Sequence, residues 1–189
     1  MFEETILKYV AVGPKNFQVS EEEANKKAKE ALKLVGLDSS YYERSPLELS
    51  GGQKRRVAIA GILAMDPDVI NLDEPTAGLD PKCAKDMMQL FMNLNKQYHK
   101  TIVIVTHDME HVLNYCDRVV VIEKGKLKLH MEVKEFFKDS KLCLDMNILP
   151  PSVIQNRDAL NIRGFSIAED TYTIESLAKQ LARQVKNRG

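Results

Sequence analysis

The sequence predicts an α/β fold on a mainly parallel sheet, and three observations carry that prediction. Between residues 50 and 122, short apolar or β-branched runs alternate with amphipathic helical stretches, the order that βαβ units require. The longer helical stretches open on side chains that can cap them, at Ser20, Ser50 and Asp80. Arg118 to Ile122 and Lys126 to His130 flank Glu123-Lys124-Gly125, which reads as a hairpin and adds an antiparallel edge.

In chain order, Thr5 to Val12 reads as a helix closed by Gly13-Pro14. Ser20 and Glu23 form a capping box, in which the hydroxyl accepts from the Glu23 N–H and the Glu23 side chain reaches back. Ala24, Ala28, Ala31, Leu32 and Val35 recur behind it at helical spacing, and Gly36 is the stop. Ser50 and Gln53 form a second box, opening a helix through Val57, Ile59, Ile62 and Leu63 to Asp66-Pro67. Val69 to Leu72 is expected to be a buried strand, in which the Asn71 amide needs hydrogen-bond partners. Asp80-Pro81 is a cap with proline at the first helical position, and Ala84, Met87, Met88, Phe91 and Leu94 share one face of the helix it opens. Thr101 to Val105 is a β-branched strand, and Asp108 to Tyr115 a short helix. After Glu132 the texture changes. A helix to Lys138 is followed by the Pro150-Pro151 break and by amphipathic helices near 152–162 and 174–186. The expected division is a domain over 1–138, helical to about 65 and a sheet-bearing core over 66–138, with a small C-terminal lobe over 139–189.

Composition narrows the function classes. The 27 basic and 27 acidic residues cancel, and 44% of the chain is hydrophobic, which excludes intrinsic disorder. No surplus of Lys and Arg favours nucleic acid or an anionic membrane surface. Cys83, Cys116 and Cys143, odd in number and far apart, read as reduced thiols rather than a disulfide framework. Met1-Phe2-Glu3-Glu4 is acidic where a secretory signal is basic, and no apolar run approaches the ~20 residues of a spanning helix. Any membrane role is expected to come through a partner.

Three segments carry chemistry. Leu49-Ser50-Gly51-Gly52-Gln53 puts two glycines beside a capping serine at a helix start, leaving backbone N–H groups open to an anion such as phosphate. Asp73 and Glu74 end the Val69–Leu72 strand, where paired acids suit a hard cation: Asp73 in a Mg²⁺ shell and Glu74 poising a water for attack on phosphate. Thr106-His107 ends the Thr101–Val105 strand at the carboxyl edge of the sheet, where ligands bind in parallel α/β folds. Taken singly, each has an ordinary explanation as a loop, a solvated turn or a polar turn residue.

In this order and spacing, Leu49 to Gln53, Leu72-Asp73-Glu74-Pro75-Thr76, Gly78-Leu79-Asp80 and Thr106-His107 resemble the ATP-binding-cassette ATPases. The resemblance implies a P-loop NTPase fold with a helical subdomain. It also implies that Ser50, Gly51, Gly52 and Gln53 clamp the γ-phosphate of ATP held by the opposite subunit. Asp73 would then hold Mg²⁺ through water, Glu74 would be the catalytic carboxylate, His107 the switch histidine, and Asp80 part of the loop that communicates across the dimer. Arg55 and Arg56 match the basic pair usual there, or form a solvated helix face. Phe2-Glu3-Glu4-Thr5, Gly13-Pro14-Lys15-Asn16 and Ala77-Gly78-Leu79-Asp80-Pro81 look like the cobalt and vitamin importers that use an energy-coupling factor. A C-terminal lobe like residues 148–181 helps pair two ATPase subunits in that class. The resemblance thus implies a second ATPase subunit, identical or different, membrane-embedded transporter subunits, and a place on the cytoplasmic face of the membrane.

The nine glycines stand at 13, 36, 51, 52, 61, 78, 125, 164 and 189, and no two are five apart. A P-loop needs that spacing followed by Lys and Ser or Thr. By resemblance the sequence looks like the C-terminal two-thirds of a cassette, a partial P-loop NTPase fold. The expectation is that the isolated chain neither binds nor hydrolyses ATP, and that Val69–Leu72 and Thr101–Val105 carry unpaired edges and an exposed apolar face. Two alternatives remain open. One is a non-catalytic or vestigial module that pairs with an intact cassette ATPase. The other is a chromosome-maintenance or repair ATPase, disfavoured because the Ala24–Val35 helix is only about three turns and no long heptads precede the signature.

Overall fold

The computed structural model describes residues 3–186; Phe2, quoted in the likeness above, and the last three residues of the 139–189 lobe lie outside the described residues. The chain forms two compact units, the first running to Val105 and the second from Thr106.

In the first unit, α1 (Ile6–Lys15), α2 (Glu21–Leu34) and α3 (Gly51–Leu63) pack on one another. Ser20 caps α2 by accepting from the Glu23 N–H at 3.2 Å, and Gly36 stops the turn after it in the left-handed region at φ 79°. On α2 the buried face is the one the spacing predicts, Ala24, Ala28, Ala31 and Leu32; on α3 Val57, Ile59 and Leu63 are buried as expected and Ala60 joins them, whereas Ala58 and Ile62 of the predicted helix are exposed. α1 does not stop at Gly13-Pro14 but runs on to Lys15, with the Asn16 N–H donating to the carbonyls of Val12 and Gly13. Gly13 serves helix approach rather than a turn. A Cβ there would sit 2.9 Å from Met65 Cγ and 3.1 Å from the Gly61 carbonyl oxygen.

β1 (Val69–Asp73) and β2 (Thr101–Val105) pair in parallel, Val69 opposite Thr101 and Asp73 opposite Val105. They flank α4 (Pro81–Tyr98), which Asp80 caps as predicted. The expectation of a buried strand is corrected: only Ile70 and Leu72 of β1 are buried, and Val69 is 58% exposed. A strand paired on one edge and covered on one face alternates, because successive side chains point to opposite sides. Asn71 therefore lies on the exposed face, and its amide meets no burial cost.

The second unit begins with α5 (Met109–Tyr115), β3 (Arg118–Glu123) and β4 (Lys126–Glu132). β3 and β4 form an antiparallel hairpin closed by Lys124 and Gly125, both at positive φ, the two-residue turn that matches strand twist. The predicted antiparallel edge is instead a separate two-stranded sheet; among the described residues β3 and β4 pair with each other alone. α6 (Val133–Lys138) packs on both strands of the hairpin. α7 (Ser140–Asp145), not foreseen from the sequence, follows it, then α8 (Ser152–Ile162) and α9 (Ile174–Lys186). Their core joins Val112, Val133, Phe136, Phe137, Cys143, Val153, Ile154, Ile167 and Leu177. Phe136 and Phe137 meet edge to face at 5.0 Å. Glutamines on α9 hold the segment ahead of it: Gln184 exchanges two hydrogen bonds with the Ser166 backbone, and Gln180 bonds Ala168 and Thr171. Among the described residues no helix is long and apolar enough to cross a membrane.

Candidate functional site

The Ser50–Gln53 segment is the N-terminus of α3. Ser50 Oγ accepts from the Gln53 N–H at 3.3 Å, and Gln53 Oε1 accepts from the Ser50 N–H at 3.0 Å, so both halves of the predicted box form. Gln53 Nε2 donates to the Tyr41 hydroxyl at 3.2 Å, and the Arg44 guanidinium lies 4.6 Å over the Tyr41 ring. The glutamine amide is thereby fixed from both ends. Gly51 is exposed, and no heavy atom lies within 4 Å of where its Cβ would be. The result is a helix start with open backbone approach and an oriented dipole, an arrangement that suits an anion.

Asp73 is exposed at the carboxyl end of β1. Glu74 follows in the left-handed region at φ 43°, which costs a non-glycine residue on the order of 1–3 kcal/mol. Its N–H donates to the Val105 carbonyl at 2.9 Å, prolonging the β1–β2 ladder by one bond, and its carbonyl accepts from the Ala77 N–H at 3.1 Å. Asp80 accepts from the Cys83 N–H at 3.0 Å, and the Cys83 thiol beside it holds the carboxyl below its usual range. The same bond pushes the Cys83 thiol up. Ser50 to Gln53, Asp73, Glu74 and Asp80 all belong to the first unit, whereas exposed His107 belongs to the second. Two residues further on than His107, α5 begins, capped by Asp108, which also pairs with His111 at 3.2 Å.

Among the described residues no cluster of three or more His, Cys, Asp and Glu side chains forms a metal site of its own. Asp73 offers a single hard-oxygen donor, which fits Mg²⁺ held largely by water and phosphate oxygens rather than by an all-protein cage.

Arg55 and Arg56, for which the sequence left open a family basic pair or a solvated helix face, have partners that it did not foresee. Arg55 donates from Nη1 to the Pro75 carbonyl at 2.8 Å and the Ala77 carbonyl at 3.0 Å. Arg56 Nη1 donates to the Val35 carbonyl at 2.7 Å, satisfying the C-terminus of α2. Neither is a solvated face residue. Their partners lie about twenty positions away in either direction, a separation that no local spacing rule reads.

Residues 4–77 match the ABC transporter family model. The chain is 48% identical over all 189 residues to the energy-coupling factor transporter ATP-binding protein EcfA2 of Enterococcus faecalis, and 46% identical to that of Clostridium tetani. It spans 65% and 66% of their lengths, slightly under two thirds. Among solved structures, cbiO1 from Clostridium perfringens, part of the ABC transporter complex cbiONQ, superposes with a TM-score of 0.67 at 37% identity. That match covers 84% of this chain and 62% of the other. A dimeric ATP-binding cassette in a post-hydrolysis state, bound to ADP and Pi, gives a TM-score of 0.58 at 36% identity over 70% of this chain and 58% of that one. With the capped Ser-Gly-Gly-Gln helix, the acid pair ending β1 and these likenesses together, the chain is similar to the ATP-binding-cassette ATPases and carries part of their P-loop NTPase fold.

Proposed function

We propose that this protein works in the ATP-hydrolysing subunit pair of an energy-coupling-factor importer, powering uptake of a metal ion or vitamin from the cytoplasmic face of the membrane. The observation that carries this reading is the 48% identity, over the whole chain, with a protein named for that role. In it, the α3 N-terminus at Ser50, Gly51, Gly52 and Gln53 clamps the terminal phosphate of ATP held by the opposing subunit. Glu74 accepts a proton from the attacking water, a role worth roughly 10²–10⁴-fold. His107 acts as the switch at the same phosphate, and Asp80 communicates across the dimer. Mg²⁺, bound at Asp73 through water, neutralises charge developing on the phosphate oxygens. Residues 139–189 form the lobe through which two ATPase subunits pair, and membrane-embedded partners receive the motion.

No Gly-x₄-Gly-Lys-Ser/Thr segment lies within these 189 residues, so the test uses a partner that brings one. The chain is mixed with a P-loop-bearing energy-coupling ATPase subunit, and association and ATP turnover are followed. The expected result is a complex whose turnover exceeds that of the partner alone and returns to that level with Ser50→Arg. Absence of a complex would overturn the proposal. A complex without any change in turnover would replace it with the regulatory-module reading.

A further inference from the structure

The Glu74–Asp80 segment, between the proposed catalytic carboxylate and the proposed dimer-communicating aspartate, has an unusual division of its backbone acceptors. The Glu74 carbonyl is taken by the Ala77 N–H at 3.1 Å and the Thr76 carbonyl by the Leu79 N–H at 3.2 Å. The alternate carbonyls, Pro75 and Ala77, are both taken by Nη1 of Arg55, at 2.8 and 3.0 Å. Pro75 is buried, so its carbonyl must find a partner within the protein, and the same guanidinium nitrogen also takes the carbonyl of exposed Ala77. Arg55 stands one turn into α3, the helix that begins at Ser50. A second approach lies beside it: Cys83, whose N–H is held by Asp80, has its Sγ 4.0 Å from where a Gly52 Cβ would be. The start of α3 and the segment from Glu74 to Cys83 are therefore joined through Arg55, with Cys83 close to Gly52 beside it.

We propose that Arg55 is a positioning residue that ties the Ser50–Gln53 helix start to the Glu74–Asp80 loop, so that engagement of the partner's nucleotide by the helix start is transmitted to that loop. The transmission rests on the shared-site reading above; the tie itself does not. Arg suits the role because one planar nitrogen offers two diverging hydrogens at fixed geometry, which a lysine reproduces only in part.

The tie is tested on the full chain by the alkylation rate of Cys83, resolved by peptide mass spectrometry. Loss of two charge-assisted bonds predicts a rise of roughly tenfold or more in Arg55→Ala and a smaller one in Arg55→Lys. Labelling of buried Cys143 and hydrogen exchange in α1 and α2 should stay at wild-type levels. Arg55→Gln is the second variant should Arg55→Ala not fold. A Cys83 rate within twofold of wild type in both Arg55→Ala and Arg55→Gln would overturn the tie. The transmission is tested in the complex with the P-loop-bearing subunit. Arg55→Ala should lower kcat about tenfold with KM within twofold. Unchanged kcat would overturn it. A wild-type chain that leaves the partner's turnover unaltered overturns the shared-site reading and the transmission together, while the labelling still decides the tie.

Discussion

Replacing Arg157 by Met should loosen the second unit selectively. Arg157 lies on α8 with 3% of its surface exposed, and its guanidinium is shared among three acceptors. Nη1 donates to the Glu169 carbonyl, Nη2 to the Lys138 carbonyl at 3.0 Å, and Nε to Asp158 Oδ1 at 2.8 Å. One side chain thus fastens α8 to the end of α6 and to the segment before α9. Hydrogen bonds from a charged donor contribute about 1.5–3 kcal/mol each. The two carbonyls lose about 3–6 kcal/mol together, while Asp158, whose side chain is 29% exposed, recovers water and adds little. The Met side chain fills most of the vacated volume and returns about 1 kcal/mol. The net loss is about 2–5 kcal/mol, which raises the open population roughly 30-fold to several-thousand-fold.

Cys143 is the built-in probe of that opening. It is fully buried in the same cluster, and its thiol donates to the Phe136 carbonyl at 3.5 Å. Under native conditions, with alkylation slower than reclosing, its labelling rate follows the open population. Arg157→Met should accelerate Cys143 labelling by that factor and leave Cys83, in the first unit, unchanged; Arg157→Lys should fall between. Acceleration below about fivefold would refute the assignment of Arg157 as the fastening residue, and equal acceleration of Cys83 would refute its confinement to the second unit.

Other expectations are independent of that one. Gly13→Val should destabilise the first unit by about 1–3 kcal/mol, because its Cβ meets Met65 and the Gly61 carbonyl, whereas Gly61→Ala, with open space at its Cβ, should stabilise by about 0.5–1 kcal/mol in denaturant titrations. Burial raises the Cys143 thiol to about 11, so the unfolded chain releases that proton first; the stability this thiol contributes should be full below about pH 9 and fall as pH rises towards 11, a slope that Cys143→Ala reduces. Glu74→Gly should be more stable than Glu74→Ala by about 1 kcal/mol, the reverse of the usual order, because only glycine adopts φ 43° without strain. Equal stabilities would show that the backbone there is unstrained.

Local signals were legible and distant ones were not. The caps at Ser20, Ser50 and Asp80 each involve residues three apart; those at Ser50 and Asp80 form as the sequence predicts, and at Ser20 the hydroxyl half of the predicted box forms. Helices at 152–162 and 174–186 likewise follow from spacing alone. The exposed face of β1 could not be read in the same way, because an apolar run of four residues looks alike whether one face or two are covered. α1 runs past Gly13-Pro14 for a related reason. What the glycine answers is α3 packing against it, a contact about fifty residues away in sequence.

The site divides along the same line. Ser50, Gly51, Gly52, Gln53, Asp73, Glu74, Asp80 and His107 were identified because their chemistry requires particular residue types at short spacings. The residues that hold them required only a hydrogen-bonding partner within reach, and an arginine or tyrosine can supply one from almost any position. Tyr41 reaches Gln53 across 12 positions, and Arg55 reaches Pro75 and Ala77 across 20 and 22. Backbone accounting recovers what spacing misses. In a turn whose own N–H groups take the Glu74 and Thr76 carbonyls, the oxygen of buried Pro75 must be answered from elsewhere, and Arg55 answers it together with that of exposed Ala77. The strain at Glu74 sits within the same turn, between the β1–β2 ladder on one side and that guanidinium on the other. Releasing either anchor should let φ relax, so Arg55→Ala should also narrow the stability gap between Glu74→Gly and Glu74→Ala.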